Sequence, residues 1–397
     1  MAGEGGAAEG EVAGEVSVQL RAFAEEGTLG QAHTQPSTAA TLEGWREWND
    51  GASLFTFELF GRLDGRDRRR THGDVREAYL THLGEDWTLQ LGVKRVFWGA
   101  TEAKHLVDVV NQVDFVEDLD EETRLGQPMA QLELRRVPGT LELFLLPGFR
   151  QRSFPGPDGR LGGPVIVDGD SRFTASQGIL HTDWAVRWSG RAGGLDLGLA
   201  HFDGTSREPE FEVLGPVVRG EPIRLRPVYP LVTQSSVDAQ YVAGDWALKL
   251  EAFHRRGEGD DSRAFVAGFE RTFVGAFGTR ADLGVLAEYL YDGRGDRAPL
   301  LAFERDVFVG LRVALNDFAG TRLLAGLIHD HRTGERLWVA EGRRRLGDAW
   351  ELSADLRAVS GVGTTEPGDL AALLDPRRKL GLIAGDSYLQ LELRRFF

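Results

Sequence analysis

The chain has 397 residues, a net charge of −15, no cysteine, 51 glycines and 42% hydrophobic residues. The negative charge argues against nucleic acid as a partner. No apolar run approaches the ~18 residues a membrane helix needs, which excludes a helical membrane protein but not a membrane barrel, whose strands show lipid only every second side chain. The lack of cysteine fits export through an oxidising compartment without disulfides.

Residues 1–11 are rich in Gly, Ala and Glu and are expected to be a disordered N-terminal segment. They have neither the basic start nor the apolar centre of a signal peptide; export therefore implies a signal upstream that has been removed. From residue 12 to 397 the dominant period is two. Val16, Val18 and Leu20 alternate with Ser17, Gln19 and Arg21; Phe55, Phe57 and Leu59 alternate with Thr56 and Glu58. The pattern returns at Trp87–Lys94, Trp184–Trp188, Trp246–Glu251, Val307–Val313, Trp350–Asp355 and Leu389–Leu393. Period two is the signature of strands.

Tight turn sequences stand near 49–51, 84–86, 138–139, 190–194, 244–245, 275–282, 317–320 and 347–348. Mostly longer links lie between them, at about 26–36, 66–72, 98–126, 150–178, 204–232, 257–261, 293–301, 332–334 and 362–385. Eight short turns alternating with nine outer links give 18 strands, the weakest at 37–48. An even count puts both termini on one side, as in single-chain bacterial barrels. The expected fold is all-β: a transmembrane antiparallel up-and-down β-barrel of about 18 strands. Trp48, Trp87, Trp184, Trp246 and Trp350 are expected beside short turns, as an interfacial girdle. A propeller is disfavoured by the absence of a blade repeat, and a string of sandwiches by the absence of linkers.

If the apolar sets face lipid, the opposite sets face the lumen, because a charge on the lipid side at mid-bilayer costs roughly 2–4 kcal/mol. The expected lumen and constriction residues are Arg62, Lys94, Glu133, Arg135, Arg187, Lys249, Glu251, Arg312, Glu351 and Arg357. Leu106, Val109 and Val110 have the spacing of a short amphipathic helix, so link 98–126, with His105, Asp108 and Asn111, is expected to be helix-bearing and to fold into the lumen as a constriction loop. An external loop over the mouth is the alternative. Asp114–Glu122 holds six carboxylates in nine residues. It reads as a solvated acidic loop, with a Ca²⁺ site as the lesser alternative, since the spacing is not that of an EF-hand.

No H-E-x-x-H spacing and no G-x-S-x-G elbow are present. His329-Asp330-His331 reads as a strand end, and Ser206 near His201 lacks a defined oxyanion hole. The chain is therefore read as no enzyme and as needing no metal or cofactor. An outer-membrane enzyme acting on lipid or peptide, and a closed barrel accessory to lipid, hydrophobe or polysaccharide export, are the rival classes.

Val75–Leu80, Asp86–Gly99, His105–Asn111, Leu125–Met129, Leu145–Arg150, Gly204–Pro209, Asp282–Asp292 and Ala314–Asp317 resemble segments of proteobacterial porin-like barrels related to the alginate-export barrels. The resemblance runs from about Val12 to Phe397. It implies a channel in the outer membrane of a Gram-negative cell, in contact with lipid and lipopolysaccharide. It also implies insertion by the barrel-assembly machinery, which reads a last strand ending on an aromatic residue, here Phe397. Alginate-export barrels have an arginine-rich lumen, whereas this inner face mixes acids with arginines. The expected cargo is a small or medium hydrophilic solute, charged ones included, moving by passive diffusion; the sequence leaves the oligomeric state open.

Overall fold

A computed structural model describes residues 9–135, 138–257, 260–294 and 303–397. The first seven strands are β1 (Gly10–Phe23), β2 (Thr34–Trp48), β3 (Ser53–Asp64), β4 (His72–Leu83), β5 (Trp87–Lys94), β6 (Gln127–Leu134) and β7 (Thr140–Pro147). Two short strands follow, β8 (Val165–Val167) and β9 (Arg172–Phe173). Next come β10 (Thr182–Ala192), β11 (Leu195–Thr205), β12 (Glu210–Leu214), β13 (Ile223–Tyr229), β14 (Leu231–Ala243) and β15 (Trp246–Gly257). The chain continues through β16 (Asp260–Phe273), β17 (Asp282–Asp292), β18 (Arg305–Ala314), β19 (Arg322–Asp330), β20 (Arg336–Arg345) and β21 (Trp350–Ser360). A four-residue helix, α1 (Leu370–Leu373), precedes the last strand, β22 (Tyr388–Phe396).

Among the described residues, eighteen of these strands form one sheet, and β8, β9, β12 and β13 form a second, small one. Each wall strand pairs antiparallel with the next wall strand in the chain. The circle closes where β1 meets β22, with Val18 opposite Leu393 and Leu20 opposite Leu391. Closure means that each wall strand has a paired strand on both sides, which removes the open sheet edge. Phe397 extends that last pairing: its N–H and C=O each bond Gly14, both at 2.9 Å.

The alternation read from the sequence becomes the two faces of the wall. Val16, Val18 and Leu20 on β1, Leu143 and Leu145 on β7, Val309 and Leu311 on β18, and Leu389 and Leu391 on β22 are all exposed. Their neighbours Ser17, Gln19, Gln390 and Glu392 are buried. An apolar outside around a polar inside is stable in lipid and not in water, so the barrel is a transmembrane one.

Short turns lie at one end, and the longer links at the other. At 49–51 the turn needs three left-handed residues in succession, and Asn49, Asp50 and Gly51 have φ of 55°, 54° and 81°. Asn, Asp and Gly take that conformation at least cost. Four tryptophans expected beside short turns stand there: Trp48 ends β2, and Trp87, Trp246 and Trp350 begin β5, β15 and β21. Trp184 does not. It is the third residue of β10, near the end joined to the long link, so the girdle expectation fails there.

Two further expectations need correction. Gly10 and Glu11, expected in the disordered segment, pair with Arg46 and Trp45 of β2; residues 1–8 of that segment lie outside the described residues. Links 150–178 and 204–232 are not plain loops but supply the small sheet, in which β12 and β13 form a hairpin and β13 pairs parallel with β8 and β9. Ile223 and Leu225 of this sheet pack on Leu373 of α1, which draws three long links together. The expected outer links at 257–261 and 293–301 fall partly on residues 258–259 and 295–302, outside the described residues.

Candidate functional site

The segment between β5 and β6, residues 95–126, turns inward rather than over the mouth. It contains no helix, contrary to the spacing of Leu106, Val109 and Val110. Val107, Val109 and Val110 are buried against Phe144, Leu146, Ala185, Phe202 and Val232 of β7, β10, β11 and β14. Leu106 packs on Phe253, Val266, Leu286, Phe308 and Ile328 of β15 to β19.

The reason there is no helix lies in the backbone donors. In a helix each N–H bonds a carbonyl four residues back. Here two carboxylates of the wall accept those N–H groups instead. Glu251 of β15 accepts from Ala100 N at 2.7 Å, Thr101 N at 3.0 Å, Thr101 Oγ1 at 2.7 Å and Val107 N at 3.2 Å. Glu288 of β17 accepts from the N–H groups of Glu102 and Ala103, both at 2.8 Å. Asn111, fully buried, staples the two ends of the segment. Its Oδ1 accepts from Val96 N, and its Nδ2 donates to Lys94 O and Leu125 O, all at 2.9 Å.

Charges complete the anchoring, and they alter the reading of the acidic run. Asp114–Glu122 is not a solvated loop. Asp114 pairs with Arg76 of β4 at 2.5 Å, Glu117 with Arg62 of β3 at 2.9 Å, Asp118 with Arg21 of β1 at 3.4 Å and Asp120 with Arg357 of β21 at 3.3 Å. Tyr388 of β22 also donates to Asp118, at 3.2 Å. His72, Asp114 and Glu117 offer ligand atoms within 4.8 Å of one another, but Arg76 and Arg62 already hold the two carboxylates, and their charges oppose a cation.

His105 sits between two acids, with Nε2 3.2 Å from Glu122 and Nδ1 3.5 Å from Glu251. Burial disfavours its charge, but these carboxylates outweigh burial and hold its pKa at about 10. Asp108 has no exposed side-chain surface, with Arg124 3.2 Å away. Burial pushes its pKa up to about 6, against the pull of Arg124 and His105. Burial and the neighbouring Asp118 raise Asp120 to about 7.

The other expected wall residues are distributed over the inner face. Lys249 and Arg312 converge on Glu102 of the inward segment, at 4.0 and 2.5 Å, and on Glu270, at 3.6 and 3.4 Å. Lys94 donates to Gln90 and to Gln131. Arg187 makes a two-pronged pair with Asp238, at 2.7 and 2.9 Å, reaching across β11. A Cβ at Gly198 would lie 2.2 Å from Arg187 Nη2, so only glycine there leaves room for the pair. Glu133 and Arg135 pair with each other at 2.8 Å near the short-turn end, where Arg135 is well exposed. Glu351 meets Arg394 at 3.5 Å. These last three residues stand apart from the inward segment.

The sequence reading missed Glu288, Arg21 and Arg76. Glu288 carried a signal, as the one acid within the apolar run Leu286–Leu290. The hydrolytic pairing of Ser206 with His201 does not form. Ser206 Oγ donates to Glu208 O at 2.8 Å, and His201 Nδ1 lies 2.9 Å from Ser235 Oγ.

No family model matches the chain, and no curated protein does. Solved structures do. An engineered protein described for asymmetric conductivity is 13% identical with a TM-score of 0.44. Two variants of Rhodopseudomonas blastica porin are 12% identical, with TM-scores of 0.44 and 0.45. Each comparison covers 98% of this chain and 100% of the other.

Proposed function

We propose that the chain is an outer-membrane channel that passes small or medium hydrophilic solutes, charged ones included, by passive diffusion past a constriction made by residues 95–126. A barrel of eighteen strands is wide enough to hold an aqueous lumen unless something fills it. The observation that carries the reading is the inward segment itself, clamped on Glu251 and Glu288 and laid against wall arginines. It narrows the lumen while Lys94, Lys249, Arg187 and Arg312 with their acidic partners supply a charged wall. In this reading lipid and lipopolysaccharide surround the apolar belt, and the last strand with Phe397 is the signal for barrel assembly.

The test is conductance in planar bilayers. Stable single-channel steps are expected, and a correctly folded but silent barrel would refute the channel. Removing residues 101–122 should raise the unit conductance; an unchanged value refutes the constriction. Arg135→Glu and Arg187→Glu should shift selectivity toward cations, and no shift would place those residues off the path.

A further inference from the structure

The polar inner face has an exception that alternation did not reveal. On β18 to β21 a single rung of the wall is apolar from strand to strand. Phe308 stands opposite Ile328, Ile328 opposite Leu337, and Leu337 opposite Val359. All four line a cavity of about 1020 Å³ in the half of the lumen nearest the long links. The inward segment contributes Phe115 and Leu119 to that cavity, and the folded-over links contribute Phe154, Phe211 and Leu382.

A lumen that served only polar solutes gains nothing from such a surface, since apolar area left against water costs roughly 25 cal/mol per Å². A concave, largely apolar chamber of this size with a few placed charges is the form of a small-molecule site. Its charged groups are unevenly shared. Lys104 Nζ and Arg152 Nη1 each stand 3.8 Å from Glu121, so two cations divide one carboxylate, neither within hydrogen-bond distance. The neighbouring Arg255 and Arg294 both bond Glu208, at 2.7 Å. An anion arriving beside Lys104 and Arg152 meets two cations that each stand 3.8 Å from Glu121, in a chamber that Glu102, Asp120 and Glu122 also line.

We infer that this chamber binds an amphipathic organic monoanion, its apolar body against the Phe308–Val359 rung and Phe211 and its carboxylate at Lys104 and Arg152. That the ligand is also a passenger rests on the channel reading; that it binds does not.

The barrel in lipid nanodiscs, titrated calorimetrically, tests this with 1-naphthoate, neutral 1-naphthalenemethanol and gluconate, with empty nanodiscs subtracted. Naphthoate should bind at least 20-fold more tightly than gluconate. Leu337→Ser should weaken naphthoate and the alcohol alike, by at least tenfold. The paired change Lys104→Gln with Arg152→Gln should weaken naphthoate at least tenfold more than the alcohol. Phe211→Ser, in the small sheet outside the wall, repeats the apolar test without touching the barrel, and each variant is checked for heat-modifiable migration. Naphthoate binding no tighter than gluconate, or affinity indifferent to Leu337 and Phe211, overturns the inference. Channel steps without naphthoate binding would sink this proposal and leave the channel; naphthoate binding in a silent barrel would do the reverse.

Discussion

Glu251→Gln should release the first part of the inward segment. The carboxylate is fully buried and accepts four hydrogen bonds from residues 100–107. Glutamine keeps an oxygen for Ala100 and Thr101, but as a neutral acceptor. Bonds to charged groups exceed neutral ones by about 1 kcal/mol each, so three weakened bonds cost about 3 kcal/mol. The new amide NH₂ then faces Val107 N–H, donor against donor, which adds about 1 kcal/mol or more. A loss of about 4 kcal/mol corresponds to roughly three decades in the open population. The amide protons of Ala100, Thr101 and Val107 report that opening directly, because exchange follows local opening. Hydrogen exchange of the peptide spanning 98–108 should speed up by two to three orders of magnitude. Peptides from β1 and β22 serve as the global control and should stay protected. Exchange within twofold of wild type at 98–108 would refute the anchoring role of Glu251.

Asn111→Leu should destabilise the barrel by about 2–4 kcal/mol, because Val96 N and two carbonyls lose their buried partner; a lower temperature of heat modification measures it, and an unchanged one refutes it. Raising the pH should loosen the segment through His105. Its pKa rises from 6.5 to about 10 on docking, so its stabilisation is complete below pH 6.5 and is lost as pH climbs through 10. Asp108 and Asp120, with pKa values of about 6 and 7, have finished titrating by pH 8.5, so faster exchange of 98–108 between pH 8.5 and 10, corrected for the intrinsic rate, reads His105. His105→Gln should abolish that slope, and a slope that survives assigns it elsewhere. Arg62→Met alone should destabilise by about 3 kcal/mol, since buried Glu117 then keeps only His72, 3.8 Å away, as a charged partner; adding Glu117→Met should recover part of the loss, and strict additivity would show that the two are uncoupled.

The barrel was legible because its grammar is local. Period two and tight turns each sit within a few residues, and each maps directly onto wall strands. Trp184 was misplaced for a reason of length: the glycines at 190–194 mark the turn, but β10 runs eleven residues, which carries Trp184 to the far rim. The small sheet was illegible because Ile223 pairs with Val165, a contact between two separate links with no trace in either sequence. The apolar rung escaped for a related reason. At Leu337–Val339 and Leu323–Leu324 the chain is apolar on both faces, so alternation fades where the inner wall stops being polar. The expected helix failed because spacing records only which side chains share a face. Where the N–H groups of residues 100–107 find their acceptors depends on Glu251 and Glu288, far along the chain.

The acidic run shows how long-range charge can specify what local pattern does not. Read in order, its carboxylates meet Arg76 on β4, Arg62 on β3, Arg21 on β1 with Tyr388 on β22, and Arg357 on β21. That is the order of the strands around the wall through the closing seam, with β2 alone passed over, so the run lies along the circumference. A slip of one residue would bring Phe115, Val116 or Leu119 against guanidinium groups and leave carboxylates buried without partners. A buried ion pair broken on one side costs about 3–5 kcal/mol, and a slip breaks several at once. The pairs need add little net stability to hold the segment in one register; it is enough that every other register is costly. The same pairs join strands on both sides of the seam between β1 and β22, so the inward segment also ties the first part of the wall to the last.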